Sequence, residues 1–237
     1  MSCQPTHDPM GAAISDFHRH GQAGRLRVFS PDFDEDEIPV ETLFRSFDEM
    51  PPLEQQALRM ASGAVLDVGA GAGCHTLALQ DMGHDVTAID ISPLSVQTMQ
   101  ERGVQNALLQ DFWDVAPSFD TILMLMNGIG IVGTVDALPR FFRHIDMILA
   151  PGGQLLLDSS DLCYLFEDED GNVELPSSDV YYGQLTYQMQ YKRVKGSPFP
   201  WLYIDFPLLA RIAGENGFDC QLVAEGQHYD YLARLIR

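Results

Sequence analysis

Three carboxylates and three glycines are placed where they can hold a small polar molecule. Val65-Leu66-Asp67-Val68-Gly69-Ala70-Gly71-Ala72-Gly73 reads as a short apolar strand running into a tight glycine turn, ahead of the helical pattern through Leu77, Leu79 and Met82. Glycine permits positive φ at such a turn and lets a ligand approach the backbone with no Cβ in the way. Asp90 closes the next apolar run, about twenty residues on, where a carboxylate accepts hydrogen bonds from both hydroxyls of a ribose. Asp111 closes the third run, with Phe112 beside it, and suits an adenine amino group and ring.

The same residues narrow the ligand. The dinucleotide pattern G-x-G-x-x-G needs glycine at position 74, but Cys74 stands there and the third glycine is Gly73. Asp67 opposes a pyrophosphate and suits a cationic amino group. Ribose at one end, ammonium at the other and no phosphate describe S-adenosylmethionine. An NAD-dependent oxidoreductase is the alternative that Cys74 and Asp67 disfavour, and a non-catalytic S-adenosylmethionine-binding module is the other.

The elements that must carry these groups alternate. Strands at Val65–Val68, Asp85–Ile89, Ala107–Gln110, Thr121–Leu125 and Gln154–Asp158 are separated by helical patterns. One helix opens at Ser92-Pro93. Another buries Val135, Leu138, Phe142, Ile145 and Leu149, with Pro151-Gly152-Gly153 after it. Short apolar strands alternating with helices argue a doubly wound parallel sheet covered on both faces. A helix at Phe206–Asn216 and strands at Phe218–Ala224 and Tyr229–Ile236 then end an α/β, mostly parallel seven-stranded sheet in an antiparallel hairpin.

Two stretches fall outside this alternation. Residues 1–60 read as an N-terminal lid or cap, with one amphipathic helix through Val40, Leu43, Phe44 and Phe47 and a stop at Pro51-Pro52. Residues 61–237 form the core, with an insert at about 162–204 after strand five. In that insert Leu185, Tyr187, Met189 and Tyr191 alternate with polar residues, as in a half-buried antiparallel strand. Among Tyr181, Tyr182, Tyr187, Tyr191 and Trp201, one or two are expected to line an acceptor pocket.

In order and spacing, the chain from Ala64 to Asp161 resembles the class I S-adenosylmethionine-dependent methyltransferases, a Rossmann-like family. VLDVGAGAG is similar to the family's glycine motif, VTAIDIS to its ribose motif and LLQDFWD to its adenine motif. FDTILMLMNGIG and LAPGGQLLLD resemble the stretches around strands four and five. The resemblance implies that Asp67, Gly69 and Gly71 line the methionine moiety, that Ala70 and Gly73 belong to the same cofactor site, and that Asp90 holds the ribose. It implies that Ile91 packs on the adenine, Asp111 and Phe112 flank the base, and Met126 and Asn127 sit under the sulfonium or ribose. The segment Asn127-Gly128-Ile129-Gly130 departs from the Asn/Asp-Pro-Pro-Tyr/Phe of the family's amine- and base-N-methylating branch, which argues against a nucleobase nitrogen.

A sulfonium methyl is already electrophilic, so alignment is the main task and a base is needed only where the acceptor must lose a proton. Asp158, Asp161 and His18 are the candidate bases; His20, His75 and Tyr182 are weaker ones. Arg25, Arg27 and Arg45 are candidates to pair with the cofactor's carboxylate. No metal site is expected: His18-x-His20 lacks further ligands, and Glu167-Asp168-Glu169-Asp170-Gly171-Asn172 fails the calcium-loop pattern.

Composition bounds the partners. The 237 residues carry 14 Lys+Arg against 34 Asp+Glu, a net charge of −20, which repels nucleic acid and anionic membrane surfaces. Cys3, Cys74, Cys163 and Cys220 form no Cys-x-x-Cys pair, and no signal-peptide pattern or long apolar run occurs. A small-molecule methyltransferase of the reducing cytoplasm is the expectation.

Overall fold

The computed structural model describes residues 7–116, 118–168, 171–178 and 180–237. Cys3, and Glu169 and Asp170 of the acidic loop, lie outside the described residues. The core is a seven-stranded sheet of β3 (Ala64–Val68), β4 (Asp85–Asp90), β5 (Ala107–Leu109), β6 (Phe119–Met124), β7 (Leu149–Ser160), β11 (Asp219–Glu225) and β12 (Asp230–Ile236). Its order is β11-β12-β7-β6-β3-β4-β5; β3 to β7 run parallel, and β12 enters antiparallel between β7 and β11. Strand order reverses beside β3, and a doubly wound sheet binds its ligands at the carboxyl edge of that switch point.

The helices follow from local signals. Ser92 caps α4 (Pro93–Glu101) by accepting from the Ser95 N–H, and Asp205 caps α6 (Phe206–Glu215) through Leu208. In α5 (Leu138–Ile148) Leu138, Phe141, Phe142, Ile145 and Ile148 are buried, forming with β6 and β7 the largest apolar cluster. The helix stops at Ile148 and Leu149 opens β7, so Pro151-Gly152-Gly153 lies within the irregular start of the strand.

The N-terminal stretch differs from its reading. Asp8 caps an unanticipated helix, α1 (Pro9–His20), which ends at Gly21 with φ +67°. The expected amphipathic helix over Val40–Phe47 is two 3-10 turns, Val40–Phe44 and Phe47–Glu49. They are broken because Arg45 is extended and Ser46 with Glu49 makes a capping box, which takes backbone donors a continuous helix would use. Pro52 is not a stop: it opens α2 (Pro52–Met60), where its missing N–H costs nothing.

The two stretches outside the core meet in one antiparallel sheet. β1 (Leu26–Phe29) and β2 (Asp36–Ile38) come from the N-terminal segment. β8 (Gln184–Tyr191), β9 (Val194–Lys195) and β10 (Phe199–Leu202) come from the insert. The order is β10-β8-β1-β2, with β9 on β8. Leu26 faces Tyr191 and Phe29 faces Gln188 across β1 and β8. Tyr191, 2% exposed, anchors this cover sheet: its hydroxyl donates to Asp16 of α1 (2.8 Å) and accepts from the Gly24 N–H (3.0 Å).

Candidate active site

The glycine turn is held by the strand beside it. The N–H groups of Gly69 and Ala70 both donate to the Ile89 carbonyl (3.0 and 3.1 Å), and that of Gly71 donates to Asp90 Oδ2 (2.9 Å). Gly69 and Gly71 have φ of +70° and +58°. A Cβ on Gly69 would meet nothing within 4 Å and one on Gly71 would make only ordinary contacts with Ile14 Cδ1 (3.9 Å) and the Gly69 carbonyl (4.0 Å), so both glycines leave a hollow. Gly73 serves otherwise: a Cβ there would press on Met99 and Val104 at 3.0 Å, so this glycine lets α3 (Cys74–Asp81) pack against α4.

Asp90 takes the Gly71 N–H on one oxygen and the Ser92 N–H (2.8 Å) on the other, leaving further lone pairs for two hydroxyl donors. Burial of its carboxyl pushes the pKa up to about 6 against those two hydrogen bonds. Asp67, 2% exposed, accepts from Thr76 Oγ1 (2.6 Å), and burial raises its pKa.

Beneath the turn lies a charge group. His75 Nε2 is 2.6 Å from Glu54 Oε2, and Glu54 also takes the Arg45 guanidinium. Burial alone would raise Glu54 and lower His75, but Glu54 is held below the usual carboxylate range by His75 and Arg45. His75 is raised by Glu54 and Asp67. The imidazole is therefore a cation-favouring group beside Asp67.

A second strained turn follows β6. Met126 and Asn127 both adopt left-handed conformations (φ +58° and +57°), unusual for residues with a Cβ. Asp158 at the end of β7 fixes them, accepting from the N–H of Met126 (3.1 Å) and Asn127 (2.6 Å). The Asn127 side chain donates to the Leu202 carbonyl (3.3 Å) and accepts from Ser159 Oγ (2.8 Å), tying the turn to β10. Burial pushes the Asp158 carboxyl up to about 7 against the Asn127 N–H.

A cavity of about 770 Å³ lies between the carboxyl edge of the core and the cover sheet. Of the residues expected at the cofactor, Asp67, Gly69, Ala70, Gly71, Asp90 and Met126 line it. Gly73, Ile91, Asp111, Phe112 and Asn127 do not. Ile91 is 48% exposed beside Asp90, whereas Phe112 is buried against Phe141 and His144. Asp111 accepts from the Trp113 N–H (3.1 Å), capping the 3-10 turn Phe112–Asp114.

None of the three candidate bases lines the cavity. Asp158 clamps the Met126 turn. Asp161 accepts from the Cys163 N–H (2.8 Å) and Tyr182 Oη (2.7 Å), and His18 on α1 is paired with Glu101 at 3.3 Å. The arginines expected at the cofactor's carboxylate are each paired within the chain, Arg25 with Glu37, Arg27 with Glu35 and Arg45 with Glu54. Of the five aromatic pocket candidates Tyr187 and Trp201 line the cavity; Tyr181 donates to Asp205, Tyr182 to Asp161 and Tyr191 to Asp16. The sequence reading missed Phe199 and Tyr203 beside them, and Met10, Ile14 and Val28 of the N-terminal segment. Among the described residues no three His, Cys, Asp or Glu side chains converge as metal ligands.

The site has relatives. Residues 65–153 match a family described as a methyltransferase domain. A structure of an S-adenosylmethionine-dependent methyltransferase from Bacteroides fragilis, in complex with S-adenosyl-L-homocysteine, is 55% identical. It covers 100% of this chain and 97% of its own, with a TM-score of 0.93. A cypemycin N-terminal methyltransferase of Streptomyces sp is 30% identical over 102 residues, 41% of this chain and 42% of that enzyme. A ubiquinone biosynthesis O-methyltransferase of Xanthomonas euvesicatoria pv. vesicatoria is 32% identical over 111 residues, 43% of this chain and 45% of that enzyme. The match thus spans less than half the length of these two curated relatives.

Proposed function

The chain belongs to the S-adenosylmethionine-dependent methyltransferases, and from that premise we propose that it transfers a methyl group to a small-molecule acceptor bound between its core and its cover sheet. One observation carries the proposal: the hollow left by Gly69 and Gly71 opens into the same cavity as Tyr187 and Trp201. The family's cofactor, S-adenosylmethionine, would supply when bound an electrophilic methyl group on a sulfonium, with a neutral thioether as the leaving group once an acceptor lone pair took the methyl carbon. The residues present fit that cofactor. A Cβ at Gly69 or Gly71 would fill the cradle. The open lone pairs of Asp90 suit the ribose hydroxyls, and the Asp67 carboxyl suits an ammonium.

The chain's own work is positioning. The Gly69–Gly71 backbone and Asp90 hold the cofactor, and the Asp158 clamp fixes Met126 at the cavity wall. The cover sheet excludes water and orients the acceptor, and alignment of this kind contributes about 7–11 kcal/mol to lowering a barrier. None of the candidate bases Asp158, Asp161 and His18 is assigned that role here, since each is held elsewhere. A net charge of −20 supports a free small molecule over nucleic acid as acceptor. The free thiols of Cys74, Cys163 and Cys220 suit the cytoplasm, and no helix among the described residues is long and apolar enough to cross a membrane.

Isothermal titration with S-adenosyl-L-homocysteine, with NAD in parallel, is the test. Micromolar binding that Asp90→Ala abolishes, with no heat from NAD, is expected. Binding of NAD alone would overturn the reading in favour of an oxidoreductase.

A further inference from the structure

The cavity's two walls differ in chemistry. The core wall presents the glycine-turn backbone, the Asp67 and Asp90 carboxylates and the His75 imidazole, with Leu125, Met126 and Ile131 beside them. The cover wall is aromatic: Tyr187, Phe199, Trp201 and Tyr203 touch in series, with ring centroids 6.4 Å apart for Tyr187–Phe199 and Tyr187–Tyr203 and 5.9 Å for Phe199–Trp201. Gly130 makes the seat for this row. A Cβ there would overlap the Trp201 indole, so glycine lets the ring lie against the 3-10 turn (Gly128–Val132) that follows Met126 and Asn127. The Tyr187 and Tyr203 hydroxyls are 3.5 Å apart. Burial first, and the charge of Asp36 with it, pushes both above the usual phenol range, although the hydrogen bond from Tyr187 pulls Tyr203 the other way, so both remain neutral.

The sign of the charge around these rings is one-sided. Asp34 and Asp36 line the cavity together with Glu35, which Arg27 pairs, and among the described residues no Lys or Arg lines it. Its one basic group, His75, is engaged with Glu54 at the glycine turn. A carboxylate or phosphate on the acceptor would face Asp34 and Asp36 beside the rings, while Arg27 and His75 are already bound to Glu35 and Glu54. A cation would meet ring faces, whose quadrupoles attract it, and carboxylates that raise its local concentration.

Resting on the methyltransferase reading above, we infer that the acceptor is an arylalkyl amine, bound as its ammonium form against Tyr187, Trp201 and Tyr203. To react, the ammonium gives a proton to water or a rim carboxylate. The nitrogen lone pair then forms the new N–C bond, the C–S pair goes to sulfur, and the product nitrogen carries the positive charge. An sp3 amine has its lone pair ready once deprotonated and needs no acceptor groups to draw it out of conjugation. The absence of Asn-Pro-Pro-Tyr after β6 therefore does not weigh against it.

The test is calorimetric, on protein first saturated with S-adenosyl-L-homocysteine. Phenethylamine, phenethyl alcohol and phenylacetate share a ring and differ only in charge. The amine is expected to bind about tenfold or more tighter than the alcohol, with no heat from phenylacetate, and Trp201→Leu to weaken the amine by about tenfold. Equal or tighter binding of the alcohol or phenylacetate overturns the inference, as does silence from all three on a sample that has bound S-adenosyl-L-homocysteine. Failure to bind S-adenosyl-L-homocysteine at all defeats the methyltransferase reading itself.

Discussion

The core sheet and the cover sheet solve the same problem, presenting one wall of a cavity, by opposite means. In the core, β3, β4 and β5 are laid side by side through short helical crossovers before the chain returns past β3 to β6, and much of the wall is backbone: a glycine turn pinned to Ile89 and Asp90, and a left-handed turn pinned to Asp158. In the cover, strands from the two flanks of the chain pair with each other, and the wall is made of side chains. The match to the methyltransferase domain at residues 65–153 falls wholly on core elements, while the Bacteroides fragilis structure extends over both regions.

The largest way to break that contrast is in the core. Glu54→Ala leaves Arg45 and His75 buried without their counter-charge and is expected to cost about 3–5 kcal/mol in global stability, read by denaturant unfolding. Next comes Asp90. Its folded pKa of about 6 lies above the unfolded value, so the folded state holds the extra proton between about pH 4 and 6, and its contribution to stability falls as pH rises through that window. Ribose hydroxyls donating to the carboxylate reverse this bias. S-adenosyl-L-homocysteine affinity is therefore expected to rise by up to about tenfold per pH unit up to pH 6 and level off above it, with proton release seen in calorimetry. A flat profile would mean the carboxylate does not meet the ligand.

In the cover, Tyr191→Phe removes the donor to Asp16 and the acceptor for Gly24, an effect of about 1 kcal/mol. It is expected to appear as faster hydrogen exchange in residues 24–29 and 184–191, with core amides unchanged. Equal acceleration in β3 and β6 would show that the two sheets open as one unit and that the contrast is false. Smallest of all, Arg25→Ala and Arg27→Ala break exposed ion pairs and are expected to leave both the unfolding midpoint and the S-adenosyl-L-homocysteine affinity unmoved. A loss of affinity would restore these arginines as cofactor ligands.

The same contrast explains what was legible. Val65–Gly73, the stripe through α5, and β11 with β12 declare themselves because period, turn and cap lie within a few residues of one another. The alternation through Leu185, Tyr187 and Met189 announced a half-buried strand, but nothing local says that its partner is Leu26–Phe29. β2, at three residues, is too short to carry a period, and α1 was hidden in a polar stretch. Asp158 resembled a base because it ends a strand at the right edge. Its role depends on Met126 and Asn127 having positive φ, which residue types other than glycine do not advertise. The arginines looked available because their scarcity drew attention, while the glutamates that hold them were only part of an acidic background.

The hydrogen bond from Gly24 to Tyr191 joins residues 167 apart. On a ribosome this separation becomes a delay. The cradle around Gly69 and Asp90 has its strands and helices as soon as residues up to α4 emerge, whereas β1 has only the three-residue β2 beside it until β8 has been made. Closing so long a loop costs only a logarithm of its length, yet it comes late, as non-local pairings do. The nascent chain thus has the segments of its glycine turn well before β8 is made, and the cover sheet closes only when β1 and β8 pair.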